Sequence, residues 1–235
     1  MALPKLNTPT YELELPSTAE KIKYRPFLVK EQKILMMAQD SGEDQQIAEA
    51  IGSLVSSCTF GKVDAETSPM FDLEYVFLKV RGKSVGETVS LNLICPDDEK
   101  TTVLVDLKLD DIVVQMLDDH TNEISISENI KVIFRYPLLN DMKNMDNEST
   151  EIQRVFHFLI NCIHEIHHGD DVYRRIDLTD KEIEEFIDQF TGGQFELITN
   201  FFNSMPKLRH TIEITNPKTK VKSEVVLEGL ESFLE

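Results

Sequence analysis

The sequence predicts an α+β fold, with helices packed against two similar β-hairpins and short antiparallel strands. Two observations carry this. Residues 87–107 and 208–228 share one plan, apolar and polar residues alternating with period two on either side of an X-Pro-polar-polar turn. Between and before them, apolar residues recur at three-and-four spacing, as in Ile47, Ala50, Ile51, Leu54, Val55 and Cys58. A third observation concerns organisation. No Pro/Gly/Ser linker or low-complexity tract divides the chain, so the expectation is one cooperative unit, with residues 1–64 as a strand-helix lobe and 65–235 as the larger α+β region.

Taken in order, Tyr11, Leu13 and Leu15 alternate with glutamates, Pro16-Ser17 begins a turn, and Ile22 and Tyr24 follow. This reads as two short strands. Residues 28–40 have helical composition, Ser41-Gly42 breaks it, and a second helix spans 43–58 with Cys58 as a packed thiol. Ser68 as cap, Pro69 at the first helical position and Asp72 and Glu74 in the first turn predict a helix through Phe71, Tyr75 and Leu78, stopped at Gly82. In the 87–107 hairpin, Val89, Leu91, Leu93 and Cys95 share one face. Residues 112–136 alternate between short strands and acidic turns, and 138–147 reads as a short helix or loop. Ser149-Thr150 then starts the best helix of the chain, which periodicity carries to His168 and Gly169 stops. Thr179-Asp180 caps the next helix, with Ile183, Phe186, Ile187 and Phe190 on its apolar side. Gly192-Gly193 separates it from the last helix, 194–204. The second hairpin follows a proline break at Pro206, with Ile212 and Ile214 before the Asn216-Pro217-Lys218-Thr219 turn and Val221 to Leu227 after it.

Composition narrows the function classes. Hydrophobic residues make up 41% of the 235, enough for a real core, and no apolar run reaches the ~20 residues of a membrane span. The N-terminus lacks the basic head and apolar stretch of a signal peptide. Three scattered cysteines, Cys58, Cys95 and Cys162, read as free thiols of a reducing compartment. The formal net charge of −18 would repel a phosphate backbone, which argues against nucleic acid and suits a basic protein surface.

One motif points to catalysis. His164-Glu165-Ile166-His167-His168 matches H-E-x-x-H, in which two histidines one helical turn apart hold zinc and the glutamate activates water. Projected at about 100° per residue, Ile152, Val155, Phe156, Leu159, Ile163 and Ile166 fall within roughly 60° of one direction. His164 and His168 point about 120° and 160° away, on the flank where a solvated polar face belongs. The longer motif that supplies a third ligand is not continued, since Gly169 stops the helix and Asp171 stands where that motif has glycine, and the downstream acids Glu182, Glu184 and Glu185 lie on a different helix. The expectation is a polar face, with no catalytic residue, cofactor or metal ligand assigned. A zinc-dependent hydrolase using His164, Glu165 and His168 is the alternative. Gly82-Lys83-Ser84 lacks the upstream glycine of a phosphate loop and reads as a helix terminus.

Phe71-Asp72-Leu73-Glu74-Tyr75-Val76-Phe77-Leu78, Arg81-Gly82-Lys83-Ser84-Val85-Gly86-Glu87, Cys95-Pro96, Glu184-Glu185-Phe186-Ile187, Met205-Pro206-Lys207-Leu208 and Leu227-Glu228-Gly229-Leu230 carry a resemblance. Over roughly 65–235 the chain resembles the baseplate hub and hub-assembly proteins of T-even-type contractile-tailed bacteriophages. That resemblance implies a non-enzymatic virion protein. It would be made in the host bacterial cytoplasm and act in the tail baseplate, as a component or assembly factor of the hub. It also implies protein–protein contact with other hub or tail proteins, with no nucleic acid and no membrane insertion. Hairpin edges and the Phe71–Val80 helix are the expected contact surfaces. Some members pair cysteines at both hairpin turns. Here Asp98 takes the place of the partner of Cys95 and the 216–219 turn has no cysteine, so no metal is expected.

Overall fold

Period-two alternation becomes antiparallel pairing, and most of the three-and-four spacing becomes helix, in a computed structural model that describes residues 6–143 and 151–233. In chain order the elements are β1 (Tyr11–Glu14), β2 (Lys21–Tyr24), α1 (Val29–Ser41), α2 (Asp44–Cys58), α3 (Met70–Ser84), β3 (Thr88–Ile94), β4 (Thr102–Lys108), β5 (Val113–Gln115), β6 (Glu123–Ser125) and β7 (Ile130–Phe134). There follow α4 (Leu139–Lys143), α5 (Glu151–Cys162), β8 (Ile163–His168), β9 (Asp171–Arg174), α6 (Asp180–Ile187), α7 (Gly192–Ser204), β10 (Lys207–Thr215) and β11 (Lys222–Glu228). Short 3-10 turns occupy Leu109–Asp111, Arg175–Asp177 and Leu230–Phe233. The fold is α+β. The elements gather into two units, residues 1–115 with 207–235, and residues 116–206. The expected helix start at Ser149-Thr150, and the end of the expected 138–147 segment, lie outside the described residues.

The first unit is built around α3. Phe71, Leu73, Val76, Phe77, Leu78 and Val80 are all buried, which leaves the helix almost no free apolar side. Each such side chain contributes about 1.5–3 kcal/mol on leaving water. The helix packs against α2, β5, β10 and the Leu230–Phe233 turn. Its start differs from expectation. Pro69 occupies the cap position and Ser68 makes no cap, while the buried Asp72 accepts from the N–H (3.1 Å) and the hydroxyl of Ser17 in the β1–β2 turn. Gly82 does not stop the helix either. It lies inside it against Leu109, whose Cδ1 sits 3.6 Å from where a Cβ would stand. Lys79 is buried with its Nζ donating to the carbonyls of Leu109, Asp110 and Ile112 (3.1, 3.1 and 3.3 Å), which ties the 109–111 turn to α3. Burial pulls its pKa down.

Three hairpin turns in this unit have one shape. In Leu15-Pro16-Ser17-Thr18-Ala19, Cys95-Pro96-Asp97-Asp98-Glu99 and Asn216-Pro217-Lys218-Thr219-Lys220, the fifth N–H bonds the first carbonyl (2.8–2.9 Å). The fifth residue is left-handed each time, at φ 56°, 52° and 66°. Proline presets the second position, and a non-glycine residue accepts left-handed backbone at a cost of roughly 1–2 kcal/mol. The first residue of each turn is buried.

The second unit holds a four-stranded antiparallel sheet in the order β6-β7-β8-β9. Its core joins Val132 and Phe134 of the sheet to Leu159, Ile160 and Cys162 of α5, Ile183 and Ile187 of α6 and Ile198 and Phe201 of α7. Phe134 stacks on Phe201 at 5.1 Å. Thr179 and Thr191 cap α6 and α7, each paired reciprocally with the residue three positions on, Glu182 and Gln194. Thus α7 starts at Gly192 rather than after the glycine pair.

The chief correction concerns the expected 149–168 helix. It ends at Cys162, and Ile163–His168 is strand β8, paired with β7 and β9. Register moves from Ile133↔Glu165 to Phe134↔Ile163, so His164 is the extra residue of a bulge. Ile163 and Ile166 therefore both face the core although three positions apart. The bulged strand imitated helical spacing. Val155, assigned by that spacing to the apolar stripe, is exposed.

Each unit also contains the same latch. Arg25 follows β2, and its N–H donates to the Cys58 carbonyl that ends α2 (3.0 Å); Arg135 follows β7, and its N–H donates to the Cys162 carbonyl that ends α5 (2.8 Å). Arg25 pairs with buried Glu31 (2.9 Å) and Arg135 with buried Asp141 (two bonds of 2.7 Å). Those carboxylates accept the Leu28 and Leu138 N–H groups (2.7 and 2.8 Å) at the starts of α1 and α4. Burial pushes Glu31 up, but the bonds from Arg25, Leu28 and Lys30 outweigh it and leave its pKa lowered. The Cys58 and Cys162 thiols are pushed up by burial to about 11 and about 12, which makes them inert packing groups.

Candidate functional site

The H-E-x-x-H residues do not form the constellation that their spacing suggests. On a strand rising about 3.3 Å per residue, His164 and His168 stand roughly 13 Å apart instead of one helical turn apart. Glu165 faces His167, with Nε2 to Oε2 at 2.9 Å, while His164 is 4.0 Å from the other oxygen. The His167 bond holds the Glu165 carboxyl below its ordinary range, which is the wrong direction for a general base working near neutral pH. An open groove of about 440 Å³ borders His164 and Glu165, lined also by Arg135, Arg174, Arg175 and Ile176. Its guanidiniums already face carboxylates: Arg135 meets Asp141, Arg175 meets Asp180, and Arg174 lies 3.9 Å from Glu165. Among the described residues, no three His, Cys, Asp or Glu side chains converge as a metal site.

The two X-Pro turns at 95–99 and 216–220 do meet. The buried Asn216 donates through Nδ2 to both Asp97 oxygens (2.9 and 3.1 Å), and the Thr219 hydroxyl donates to Asp97 as well. Asn216 Oδ1 accepts from the Lys218 and Thr219 N–H groups (2.9 and 3.3 Å). Asp98 accepts from the Thr101 hydroxyl and N–H (2.6 and 2.9 Å) and the Lys100 N–H (3.1 Å). The four positions at which paired C-x-x-C turns would present thiolates, 95, 98, 216 and 219, therefore carry Cys, Asp, Asn and Thr. Hydrogen bonds through Asp97 join the turns as a tetrahedral ion does in a zinc ribbon. Asp97 is held below the ordinary range by Thr219 and Asn216, and Asp98 further below it by Thr101. The buried Cys95 thiol is pushed up, first by burial and then by Asp97 and Asp98.

The expected contact surfaces fare differently. The Phe71–Val80 helix is internal to its unit, so its apolar residues are committed to the core and the expectation of a docking face there is overturned. The hairpins keep open flanks. Among the described residues β3 and β4 pair only with each other, and β11 is the edge of the sheet β11-β10-β5. Leu104 on β4 and Val226 on β11 are exposed.

The 95–99 and 216–220 turns were legible as similar turns, and the structure adds that they touch. The repeated latch was missed, although its signal, Arg-x-x-Leu-x-x-Glu at 25–31 and Arg-x-x-Leu-x-x-Asp at 135–141, stands in the sequence.

No curated protein and no solved structure matches the chain significantly. A family model does, described as T4 bacteriophage base plate protein and matching residues 8–235. With nearly the whole chain matched, including both braced hairpins and both latches, this protein belongs to the T4 bacteriophage base plate protein family.

Proposed function

We propose that this chain is a non-enzymatic component or assembly factor of the phage baseplate hub, working through protein–protein contacts in the tail. The observation that carries the reading is the family match over residues 8–235. The hub role rests on the hairpin and helix words that resemble hub and hub-assembly proteins. The non-enzymatic role is supported by the strand geometry of His164 and His168 and by the depressed Glu165, which leave the hydrolase alternative without its ligand pair. Its partners are other baseplate hub or tail proteins, and its surfaces are the open flanks of the β3–β4 and β10–β11 hairpins, suited to strand addition. The protein would be made in the host bacterial cytoplasm and delivered to the virion baseplate. Coexpression with the neighbouring tail proteins of its genome tests this. At least one should co-purify with the chain as a stoichiometric complex, and a proline in β11 should weaken that complex. If none of them binds, the hub reading fails.

A further inference from the structure

Helix α1 leaves most of its large apolar side chains exposed to solvent. Only Glu31 and Ala38 of its 13 residues are buried. Val29, Met36 and Met37 are 67%, 55% and 73% exposed. Taking Val29 as origin, Val29, Lys33, Met36, Met37 and Asp40 lie within an arc of about 100°, a single stripe along the helix. An open depression of about 110 Å³ lies between α1 and α2, lined by the half-exposed Ile34 and by Ala50 and Leu54 among others. The stripe is polar only at Lys33 and Asp40, and among the described residues neither has an ion-pair partner.

The placement of those two charges selects the occupant. They stand symmetrically about the midpoint between Met36 and Met37. If a second α1 is laid antiparallel across the stripe with a twofold axis at that midpoint, Lys33 of each copy faces Asp40 of the other and the methionines meet at the centre. A twofold contact must be self-complementary in this way. Methionine is also the side chain best able to adapt to such a surface.

We propose that the exposed α1 stripe is a self-association surface, on which a second copy of this chain docks through an antiparallel α1–α1 contact. This goes beyond the hub reading and does not depend on it. Helices of 13 residues are about 20 Å long and give an interface at the low end of the usual range. The net charge of −18 on each chain also opposes association. The dimer is therefore reversible, with a dissociation constant on the order of 10 μM.

Sedimentation equilibrium of the full chain across the micromolar range, at physiological salt, tests this. The wild type should show a concentration-dependent monomer–dimer equilibrium. Lys33→Asp and Asp40→Lys should each weaken it about tenfold or more by setting like charges face to face. The double variant Lys33→Asp/Asp40→Lys should recover it, since exchanging both charges restores every pair. Both sites are exposed on a helix, so circular dichroism should show all variants folded. A chain that stays monomeric throughout, a dimer indifferent to the single reversals, or a double variant that fails to recover overturns the proposal. So does a monomeric wild type whose binding to a coexpressed tail protein is lost in Met36→Lys, because the stripe then serves another chain.

Discussion

Glu74 is a carboxyl whose perturbation has a readable consequence. Burial pushes it up to about 7, Glu231 and Glu228 add to the effect, and the Leu230 N–H opposes it. A carboxyl raised above its unfolded value, about 4.3, destabilises the fold wherever it is ionised there. Stability should therefore rise as pH falls from about 7 toward about 4. Asp97 and Asp98 act in the opposite sense. Their folded values are depressed, so their contribution is present above the ordinary carboxylate range and is lost as pH falls below it. The melting temperature should consequently peak at mildly acidic pH. Glu74→Gln should flatten the limb between pH 5 and 8, gaining about 1 kcal/mol at the alkaline end. Thermal unfolding of both proteins across that range checks it, and parallel profiles would show that Glu74 is not the responsible group. Residues like this are hard to find in the sequence. Glu74 reads there as an ordinary acid in the first turn of a helix, and only the fold brings the Leu230 N–H and the Glu228 and Glu231 carboxylates beside it.

At the scale of elements, the X-Pro turns show how local chemistry fixes a conformation and tertiary contact gives it a use. Proline and the left-handed fifth residue make the same loop three times. At 95–99 and 216–220 that loop also carries Asp97 and Asn216 into contact. Asn216 is 1% exposed and bonds both its own turn and its neighbour. Asn216→Ala should therefore destabilise the first unit by about 2 kcal/mol, since it removes buried bonds and strands their partners. Denaturant unfolding measures the loss, and a change within a few tenths would mean the two turns hold without this brace. The similarity of the hairpins was legible in the alternation of Ile212 and Ile214 and of Leu91 and Leu93. The contact was not, because nothing local relates residues 119 positions apart. For β8 the reading of the sequence went wrong. A β-bulge at His164 puts Ile163 and Ile166 on one face, and a three-residue spacing is the shortest signature of a helix. Pairing with β7 on one side and β9 on the other satisfied the backbone and decided the outcome.

At the scale of the molecule, the two units differ in how the chain builds them. Residues 116–206 are continuous, whereas the first unit needs both 1–115 and 207–235. β10 pairs with β5 and β11, and Leu208, Leu230 and Phe233 join the buried set of the first unit. A fragment of 116–206 should therefore fold alone with a cooperative thermal transition. A chain ending at 206 should lose the transition of the first unit, because α3 would then expose the apolar residues that the missing strands cover. A molten 116–206 fragment, or a 1–206 chain with both transitions intact, would contradict this division.

By itself the sequence determined the α+β class, the hairpins and the cap at Thr179, because each depends on residues within a few positions of one another. It also carried enough of the family's words to place the chain among phage baseplate proteins. Tertiary structure alone decided that α3 is internal, that the His164 motif is strand, that the 95–99 and 216–220 turns are bonded and that α1 keeps an apolar stripe in solvent. Those outcomes depend on which distant segments exclude water from a side chain or satisfy its backbone, and burial of that kind is a property of the assembled chain.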